Sequence, residues 1–229
     1  MRALLLAGGL GLRLRPLTNT IPKCLARIKD KILLEIWIDK LINIGIEKIL
    51  VNTHYLPEKV EEVIALNKHN QKIEIINEPI LLGTGKTIIQ NSHFFNSEDA
   101  LVIHADNYSK ADLFEFIETH KKRPKFCLMT MMTFKTNEPS NCGIVELDNE
   151  NVVQDFFEKK PFPPGNIANA AIYILTNEML KILSEKYKDK TDFSTEIISE
   201  FIGKIFTYHT EKTHIDIGTY ANYLKANGI

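Results

Sequence analysis

Residues 1–25 read MRALLLAGGLGLRLRPLTNTIPKCL, a short apolar run that leads into a glycine-rich turn. The run from Ala3 to Ala7 is unbroken, which is typical of a strand buried on both faces of a parallel sheet. It ends at Gly8, Gly9 and Gly11, where the backbone can adopt positive φ angles and approach a ligand without a Cβ atom in the way. This order predicts the first strand and first ligand-binding turn of a parallel α/β sheet.

Three cations follow the turn, Arg13, Arg15 and Lys23. Backbone N–H groups in a glycine turn form an anion-binding concavity, and nearby arginine or lysine side chains neutralise the bound charge. The stretch therefore predicts a phosphate-binding loop. The alternative is a flexible turn after an edge strand, with both arginines solvated.

Two well-known phosphate motifs do not fit the chain. A dinucleotide fingerprint G-x-G-x-x-G that begins at Gly9 needs a third glycine at the position of Leu14. A P-loop that ends at Gly85-Lys86-Thr87 needs its first glycine at the position of Ile80. The predicted phosphate loop is therefore of another kind.

The composition is that of a soluble globular protein, with 44% hydrophobic and 25% charged residues among 229. A net charge of −1 gives no bulk attraction to nucleic acid or to an anionic membrane, so neither is expected as a partner. The three cysteines form no C-x-x-C pair, which favours a reducing compartment. No apolar run approaches the roughly 18–20 residues of a membrane span, and the first strand leaves no room for a signal peptide. We therefore expect a cytoplasmic protein.

Strand and helix patterns alternate along the first half of the chain. Strands are predicted at 3–7, 46–51, 73–76 and 100–105, and helices at 33–44, 57–66 and 84–94. Helices are expected in the second half at 111–120 and 195–202 and from 219 onward, and strands at 126–133, 143–147, 152–157, 168–175 and 205–208. The alternation predicts a single-domain, Rossmann-like three-layer α/β/α sandwich with a mostly parallel central sheet, and 143–157 predicts a small β-hairpin.

In such a sheet, ligands bind outside the carboxyl ends of the strands. The small residues Gly83 to Gly85 open a predicted helix, where they suit either a flat base or an anion, or simply form a tight loop. Asp106 follows a predicted strand and is a hard oxygen ligand of the kind Mg²⁺ prefers, or the first residue of an Asx-turn.

A longer series of motifs runs through the chain. The opening residues 8–14, with Pro16-Leu17-Thr18 and Pro22-Lys23, are similar to the signature G-G-x-G-T-R-L…P-L-T…P-K. The later matches are weak singly and specific in this order: Glu78-Pro79 with Leu82-Gly83-Thr84-Gly85, Asp106-Asn107, Cys142-Gly143, Glu158-Lys159, Asn169-Ala170-Ala171 and Asp216-Ile217-Gly218-Thr219. Together they resemble the sugar-1-phosphate nucleotidylyltransferases, which make NDP-sugars from an NTP and a sugar 1-phosphate. The resemblance covers nearly all of the chain.

The resemblance implies a role for each matched residue. Arg13 and Lys23 would be catalytic, and Asp106 and Asp216 would hold Mg²⁺. Nucleotide contacts are implied at Leu6, Ala7, Gly8, Gly9, Gly11, Glu78, Gly83 and Thr84, and sugar-phosphate contacts at Asn107, Gly143, Glu158, Lys159 and Asn169. We expect one nucleotidyltransferase domain, 1–229, with a nucleotide-binding half at 1–110 and a sugar-binding half at 111–229.

Five positions depart from the family pattern, and none removes a charge needed for the chemistry. Leu12 replaces a threonine, Cys24 a proline, Ala105 a glycine, Cys142 a tyrosine and Ala171 a glycine. The first affects the phosphate loop, and the last two affect the sugar pocket. Because the chain ends at Ile229, we also expect the C-terminal left-handed β-helix of longer family members to be absent.

The expected reaction joins an NTP and a sugar 1-phosphate to give an NDP-sugar and pyrophosphate. The E-P-x-L-L-G-T-G stretch resembles the guanylyltransferases most, which favours GTP with a mannose, heptose or glucosamine 1-phosphate. The alternatives are a uridylyl- or thymidylyltransferase, a cytidylyltransferase acting on a non-sugar phosphate such as phosphocholine, and an inactive nucleotide-sensing subunit. Trp37 is expected in the core; an exposed Trp37 would instead mark a homodimer contact.

Overall fold

The computed structural model describes all residues from Met1 to Ile229. Its thirteen strands are β1 (Arg2–Leu6), β2 (Arg27–Ile28), β3 (Lys31–Ile32), β4 (Ile49–Thr53), β5 (Ile73–Asn77), β6 (Ala100–His104), β7 (Asn107–Ser109), β8 (Met129–Lys135), β9 (Gly143–Leu147), β10 (Val153–Glu158), β11 (Ile167–Leu175), β12 (Ile205–Thr210) and β13 (His214–Asp216). Its seven α-helices are α1 (Leu33–Asn43), α2 (Pro57–Leu66), α3 (Thr84–Gln90), α4 (Leu113–Lys121), α5 (Asn177–Lys186), α6 (Phe193–Glu196) and α7 (Tyr220–Asn227). The predicted α/β class with a mostly parallel central sheet is confirmed. None of the helices is both long and apolar enough to cross a membrane.

Contacts group the residues into two compact units. Unit 1 comprises 1–81, 103–110 and 213–229, and unit 2 comprises 82–102 and 111–212. The first three residues of β6 belong to unit 2 and its last two to unit 1. The sequence predicts that residues 1–110 bind the nucleotide and residues 111–229 bind the sugar phosphate. This division by substrate stays a prediction.

Unit 1 is built on three parallel strands, with β4 between β1 and β5. Leu6 lies opposite Asn52, which lies opposite Ile76, so all three strands end at the same level. The apolar run of β1 is buried as predicted, with Leu4 and Leu5 fully inaccessible. Parallel strands with ends at one level place the following residues side by side.

Unit 2 has a mixed arrangement of strands. The predicted hairpin is present, because β9 and β10 pair antiparallel. Strand β8 pairs antiparallel with β11 and parallel with β12. The side chains of Met129, Met131 and Met132 lie in the core.

Some element boundaries differ from the sequence prediction. The second strand begins at Ile49 rather than at residue 46, because the Ile46 N–H still donates to the carbonyl of Leu41 at the end of α1. Helix α5 was not predicted, although Thr176 caps it by accepting from the Met179 N–H and its buried Met179, Leu180 and Leu183 form a helical stripe.

Candidate active site

Three predicted site residues of unit 1 meet at the ammonium group of Lys23. Its Nζ atom donates to Asp106 Oδ2 at 2.8 Å and to Asp216 Oδ1 at 2.8 Å. Lys23 is 7% exposed, whereas about half of the Asp216 side chain is accessible. The structure therefore brings together the predicted catalytic lysine and both predicted metal ligands.

Short strands position the two aspartates. Asp216 is the last residue of β13 and lies opposite Asn107 of β7. The Trp37 indole N–H donates to the Asn107 carbonyl at 2.8 Å, and the Ala105 N–H donates to the Leu6 carbonyl at 3.0 Å. These two bonds tie the residues flanking Asp106 to the buried helix α1 and to the end of β1.

Two residues of this region, Trp37 and Asn107, bear on the sequence expectations. Trp37 is fully buried, as expected of a core residue, so it does not mark a subunit contact. Asn107 is only 5% exposed, and its carbonyl accepts a hydrogen bond from the Trp37 indole N–H. Asn107 is therefore buried beside Asp106. Its predicted contact with a sugar phosphate stays a prediction.

The mutual proximity of the three charges sets their ionisation. Burial lowers the pKa of Lys23, but the carboxylates of Asp106 and Asp216 outweigh burial and raise that pKa above its ordinary value. Burial raises the pKa of Asp106, but the positive charge of Lys23, with help from His104, holds that pKa below its ordinary value. Lys23 is therefore cationic and Asp106 anionic at neutral pH.

Arg13 lies at the accessible side of the same cluster. Its Nη2 atom is 3.7 Å from Asp216 Oδ2, and its side chain is 66% exposed. A Cβ atom at Gly218 would lie 2.9 Å from that nitrogen and 3.0 Å from both Asp216 carboxylate oxygens, so glycine leaves the room that this pair occupies. An exposed ion pair of this length is weak, which leaves the guanidinium available to an anion.

The glycine turn is held by side chains from outside it. Gly11 has a φ of 62°, its carbonyl accepts from the Thr18 hydroxyl at 2.7 Å, and the Thr18 carbonyl accepts from the Tyr55 hydroxyl at 2.9 Å. Gly9 is exposed, and no heavy atom lies within 4 Å of the position a Cβ would take. The backbone of the turn is therefore held by hydrogen bonds at Gly11, whereas at Gly9 it is accessible to solvent.

The ends of β1, β4 and β5 share a buried polar contact that the sequence did not reveal. The Asn52 side chain accepts from the Ala7 N–H at 2.8 Å and donates to Glu78 Oε1 at 3.2 Å. His54 Nδ1 lies 2.7 Å from the Glu78 carbonyl oxygen. Glu78 is 3% exposed, so this predicted nucleotide-binding residue is engaged within the protein.

The chain contains no group of three or more histidine, cysteine, aspartate or glutamate side chains that could hold a metal ion. The pair formed by Asp106 and Asp216 is of the smaller type that Mg²⁺ uses in phosphate-processing sites, where one or two carboxylates act together with substrate phosphates.

In unit 2, three of the predicted sugar-side residues lie together. Glu158 is paired with Gly143 across the hairpin, and a Cβ atom at Gly143 would lie 2.5 Å from Glu158 Oε2. Lys159 Nζ is 3.3 Å from Glu158 Oε1, and the lysine side chain is 62% exposed. The missing Cβ of Gly143 therefore makes room for the glutamate, and the lysine is accessible beside it.

Asn169, the fourth sugar-side residue of unit 2, is fixed by its own strand. Its Nδ2 donates to the Tyr173 hydroxyl at 2.7 Å, and its Oδ1 accepts from the Ala171 N–H at 2.9 Å. Burial raises the pKa of Tyr173, and the nearby carboxylate of Glu158 raises it further. Tyr173 therefore lies within electrostatic range of both Asn169 and Glu158.

Two N–H groups of the turn at the start of α3 are bonded within the protein. The N–H groups of Gly85 and Lys86 both donate to the Thr191 carbonyl, at 2.8 and 3.2 Å. A Cβ at Gly83 would lie 2.6 Å from that oxygen, and the Thr84 hydroxyl accepts from the Phe193 N–H at 2.9 Å. These two N–H groups are therefore engaged within the protein, and contacts of Gly83 and Thr84 with a base or an anion stay predictions.

A family model described as nucleotidyl transferase matches residues 2–228 of the chain. The chain belongs to this nucleotidyl transferase family. The resemblance recognised from the motifs is thereby confirmed.

Individual nucleotidyl transferases are similar over the whole chain. A glucose-1-phosphate adenylyltransferase of Fervidobacterium nodosum is 30% identical over 98% of this chain and 60% of its own length. The catalytic subunit beta of mannose-1-phosphate guanylyltransferase from Dictyostelium discoideum is 28% identical over 100% of this chain and 64% of its own length. The crystal structure of HddC from Yersinia pseudotuberculosis, complexed with GMP-PN, is 28% identical, with a TM-score of 0.82, over 99% of this chain and 98% of that one. The chain spans about 60% of the length of the curated relatives it matches first.

Two departures from the nucleotidyl transferase pattern have visible consequences. Ala171 has a φ of 53°, a left-handed conformation that costs an alanine energy and a glycine none, and it lies where β11 shifts register against β8. Leu12 is 56% exposed, so the residue in place of the usual threonine presents an apolar side chain on the predicted phosphate loop.

Proposed function

We propose that this protein is a sugar-1-phosphate nucleotidylyltransferase. The observation that supports it most is the convergence of the Asp106 and Asp216 carboxylates on the buried ammonium of Lys23. The glycine turn that ends β1 belongs to the same unit of the chain. Such an arrangement suits a reaction between two anions, because a protein must neutralise and align both before they can react.

In the proposed reaction, a phosphate oxygen of the sugar 1-phosphate attacks the α-phosphorus of the NTP, and pyrophosphate leaves. The attacking phosphate is already ionised at neutral pH, so no general base is needed. Lys23 would bind the α-phosphate, Arg13 the triphosphate and the leaving pyrophosphate, and Lys159 the sugar phosphate. Alignment of bound reactants can lower a barrier by about 7–11 kcal/mol in favourable cases.

We also propose Mg²⁺ as the cofactor. Asp106 and Asp216 fit it, because both present anionic oxygens to the single point that the Lys23 ammonium contacts. When bound, the ion would neutralise phosphate charge and polarise the reacting phosphoryl group. The Gly218 N–H donates to Asp216 Oδ1 at 2.8 Å and so helps to orient one of the two carboxylates.

GTP is the nucleotide we favour, with a mannose-, heptose- or glucosamine-type 1-phosphate as co-substrate. Support comes from the Yersinia structure, which is complexed with GMP-PN, and from the Dictyostelium guanylyltransferase. The similar adenylyltransferase of Fervidobacterium makes ATP the alternative to test beside UTP, dTTP and CTP.

The experiment is a measurement of pyrophosphate release with each of these five nucleotides, each combined with a panel of sugar 1-phosphates and with phosphocholine. We expect turnover that requires both substrates and Mg²⁺ and that is highest with GTP. Nucleotide binding without turnover in any combination would favour the sensing subunit instead. Turnover of a nucleotide with phosphocholine, but with none of the sugar 1-phosphates, would mean that the co-substrate is a non-sugar phosphate.

A further inference from the structure

Asn52 occupies a central place among the strands of unit 1. It lies on β4, the middle strand of the three parallel ones, opposite Leu6 of β1 and Ile76 of β5. The residues that follow β1 form the glycine turn, and those that follow β5 begin with Glu78. One side chain on the middle strand can therefore reach both segments.

The Asn52 amide makes one bond to each segment. Its Oδ1 accepts from the Ala7 N–H at 2.8 Å, and its Nδ2 donates to Glu78 Oε1 at 3.2 Å. Asn52 is itself 3% exposed. A Cβ atom at Gly8 would lie only 2.9 Å from Asn52 Nδ2, so the turn passes directly over the amide.

We propose that Asn52 is a positioning residue for nucleotide binding, which fixes the start of the glycine turn relative to the segment that begins at Glu78. This inference rests on the proposed function, because it assumes that both segments contact the nucleotide. Neither the motif series nor the family match assigns Asn52 a role. It acts through Ala7 and Glu78 and touches no reacting atom.

The chemistry of the two contacts explains why an amide is needed. The backbone N–H requires an acceptor, and the Glu78 carboxylate requires a donor. Only an amide of this length supplies both from one side chain. An aspartate at this position keeps the acceptor but brings a second carboxylate within about 3 Å of Glu78, where two carboxylates share one proton.

The test compares Asn52→Asp and Asn52→Ala with the wild-type protein, using calorimetric binding of GTP with Mg²⁺ from pH 5.5 to 8. Both variants should bind GTP more weakly at pH 8, on the order of tenfold, since Asn52→Ala removes the acceptor of the Ala7 N–H and Asn52→Asp places two carboxylates against each other. The deficit of Asn52→Asp should shrink toward pH 5.5, where its carboxylate and that of Glu78 share a proton, while that of Asn52→Ala should stay constant. His54, whose Nδ1 lies 2.7 Å from the Glu78 carbonyl oxygen, is present in all three proteins, so each comparison is made with wild type at the same pH.

Asn91→Asp is the matched control. Asn91 is also buried, at 4% exposure, and its Nδ2 donates at 2.8 Å to the Thr87 carbonyl. This variant should lose a comparable amount of stability and keep wild-type affinity for GTP. An equal loss of affinity in Asn91→Asp would mean that general destabilisation explains the effect and would overturn the proposal.

A second measurement needs no nucleotide. The Ala7 amide should exchange slowly with solvent in wild type and in Asn52→Asp, and rapidly in Asn52→Ala. Normal GTP affinity in both Asn52 variants would overturn the positioning role and leave the proposed function intact. A wild-type protein that binds none of the five nucleotides would overturn the proposed function itself.

Discussion

The Nζ atom of Lys23 lies 2.8 Å from Oδ2 of Asp106, although 83 residues separate the two along the chain. Because Asp216 contacts the same nitrogen, the single positive charge of the ammonium offsets part of the charge of both carboxylates. Two aspartates at such short range of one another would otherwise repel. Lys23 therefore stabilises the close approach of the two aspartates. A phosphate that binds the Lys23 ammonium must compete with both carboxylates.

Lys23→Met removes this counter-ion while keeping most of the side chain's volume. We expect the variant to be less stable by about 2 kcal/mol, below the ~3–5 kcal/mol of a fully buried pair because Asp216 is half exposed. Millimolar Mg²⁺ should restore much of this loss, since the ion can take the place of the ammonium. Thermal unfolding with and without MgCl₂ checks this. Lys160→Met, at an exposed lysine, is the control and should show no Mg²⁺-dependent shift beyond that of wild type.

Gly9 and Gly11 allow folding and binding to be separated within one turn. Gly11→Ala would force a positive φ on a residue with a side chain and place its Cβ 2.9 Å from the Thr18 methyl group, which should cost about 1–2 kcal/mol of stability. The Cβ of Gly9→Val would meet no atom within 4 Å, so the variant should fold normally, yet its side chain should obstruct a triphosphate. Denaturant unfolding and GTP calorimetry test the pair. Normal GTP binding by Gly9→Val would remove the phosphate-loop interpretation.

Asp106 could be predicted because it follows β6, which is visible as an apolar run. The motifs identified Lys23 and Asp216 as well, and the resemblance implied that the two aspartates hold one ion, but no local pattern shows that one nitrogen contacts both carboxylates. Asn52 was missed for a related reason. It belongs to the buried strand β4, and only its register against β1 and β5 reveals what its amide reaches.

Other details of the fold could not be predicted from the local sequence. Helices were predicted over 84–94 and 195–202, but each is a short α-helix followed by a 3₁₀ turn. Small residues at the start of α3 predict a base or anion site, yet the Thr191 carbonyl already accepts the N–H groups of Gly85 and Lys86. Thr191 is more than 100 residues away in the sequence, so no window around α3 contains that information.

Stability should depend on pH through His120 of unit 2. Burial lowers the pKa of this histidine, and the charge of Arg123 lowers it further, against the opposing effect of its bond to Asp99. A lowered folded pKa means that the unfolded chain binds the proton first, below its pKa of about 6.5. The contribution of His120 is therefore present above that pH and is lost as the pH falls toward the folded pKa.

We accordingly expect the urea midpoint of wild type to fall between pH 7 and pH 5, and to fall less steeply in His120→Gln. The slope is the informative quantity, because the variant also loses the bond between the His120 ring and the Thr130 hydroxyl. His93→Gln, at an exposed histidine, should keep the wild-type slope. Equal slopes in all three proteins would contradict the assignment to His120.

Lys159 should affect one substrate only. Its exposed ammonium lies beside Glu158 in unit 2, whereas the glycine turn belongs to unit 1. Lys159→Ala should therefore raise the KM for the sugar phosphate at least several-fold more than the KM for the NTP. The neighbouring exposed Lys160→Ala is the matched control. If both KM values rise equally, Lys159 does not define the sugar-phosphate side of the site.

The two aspartates offer the sharpest test of the proposed metal site. An asparagine keeps the shape of the side chain but removes the charge that a divalent ion requires. Asp106→Asn and Asp216→Asn should each lower kcat by on the order of 10²–10³, as expected for loss of one preorganised electrostatic group. Because both carboxylates converge on one point, the double variant should be little slower than either single one. Multiplicative losses would mean that the two residues act independently, and full activity of either single variant in millimolar Mg²⁺ would exclude a shared ion. Titration of Mn²⁺ into each variant, followed by electron paramagnetic resonance, separates loss of the ion from loss of the chemistry that follows its binding.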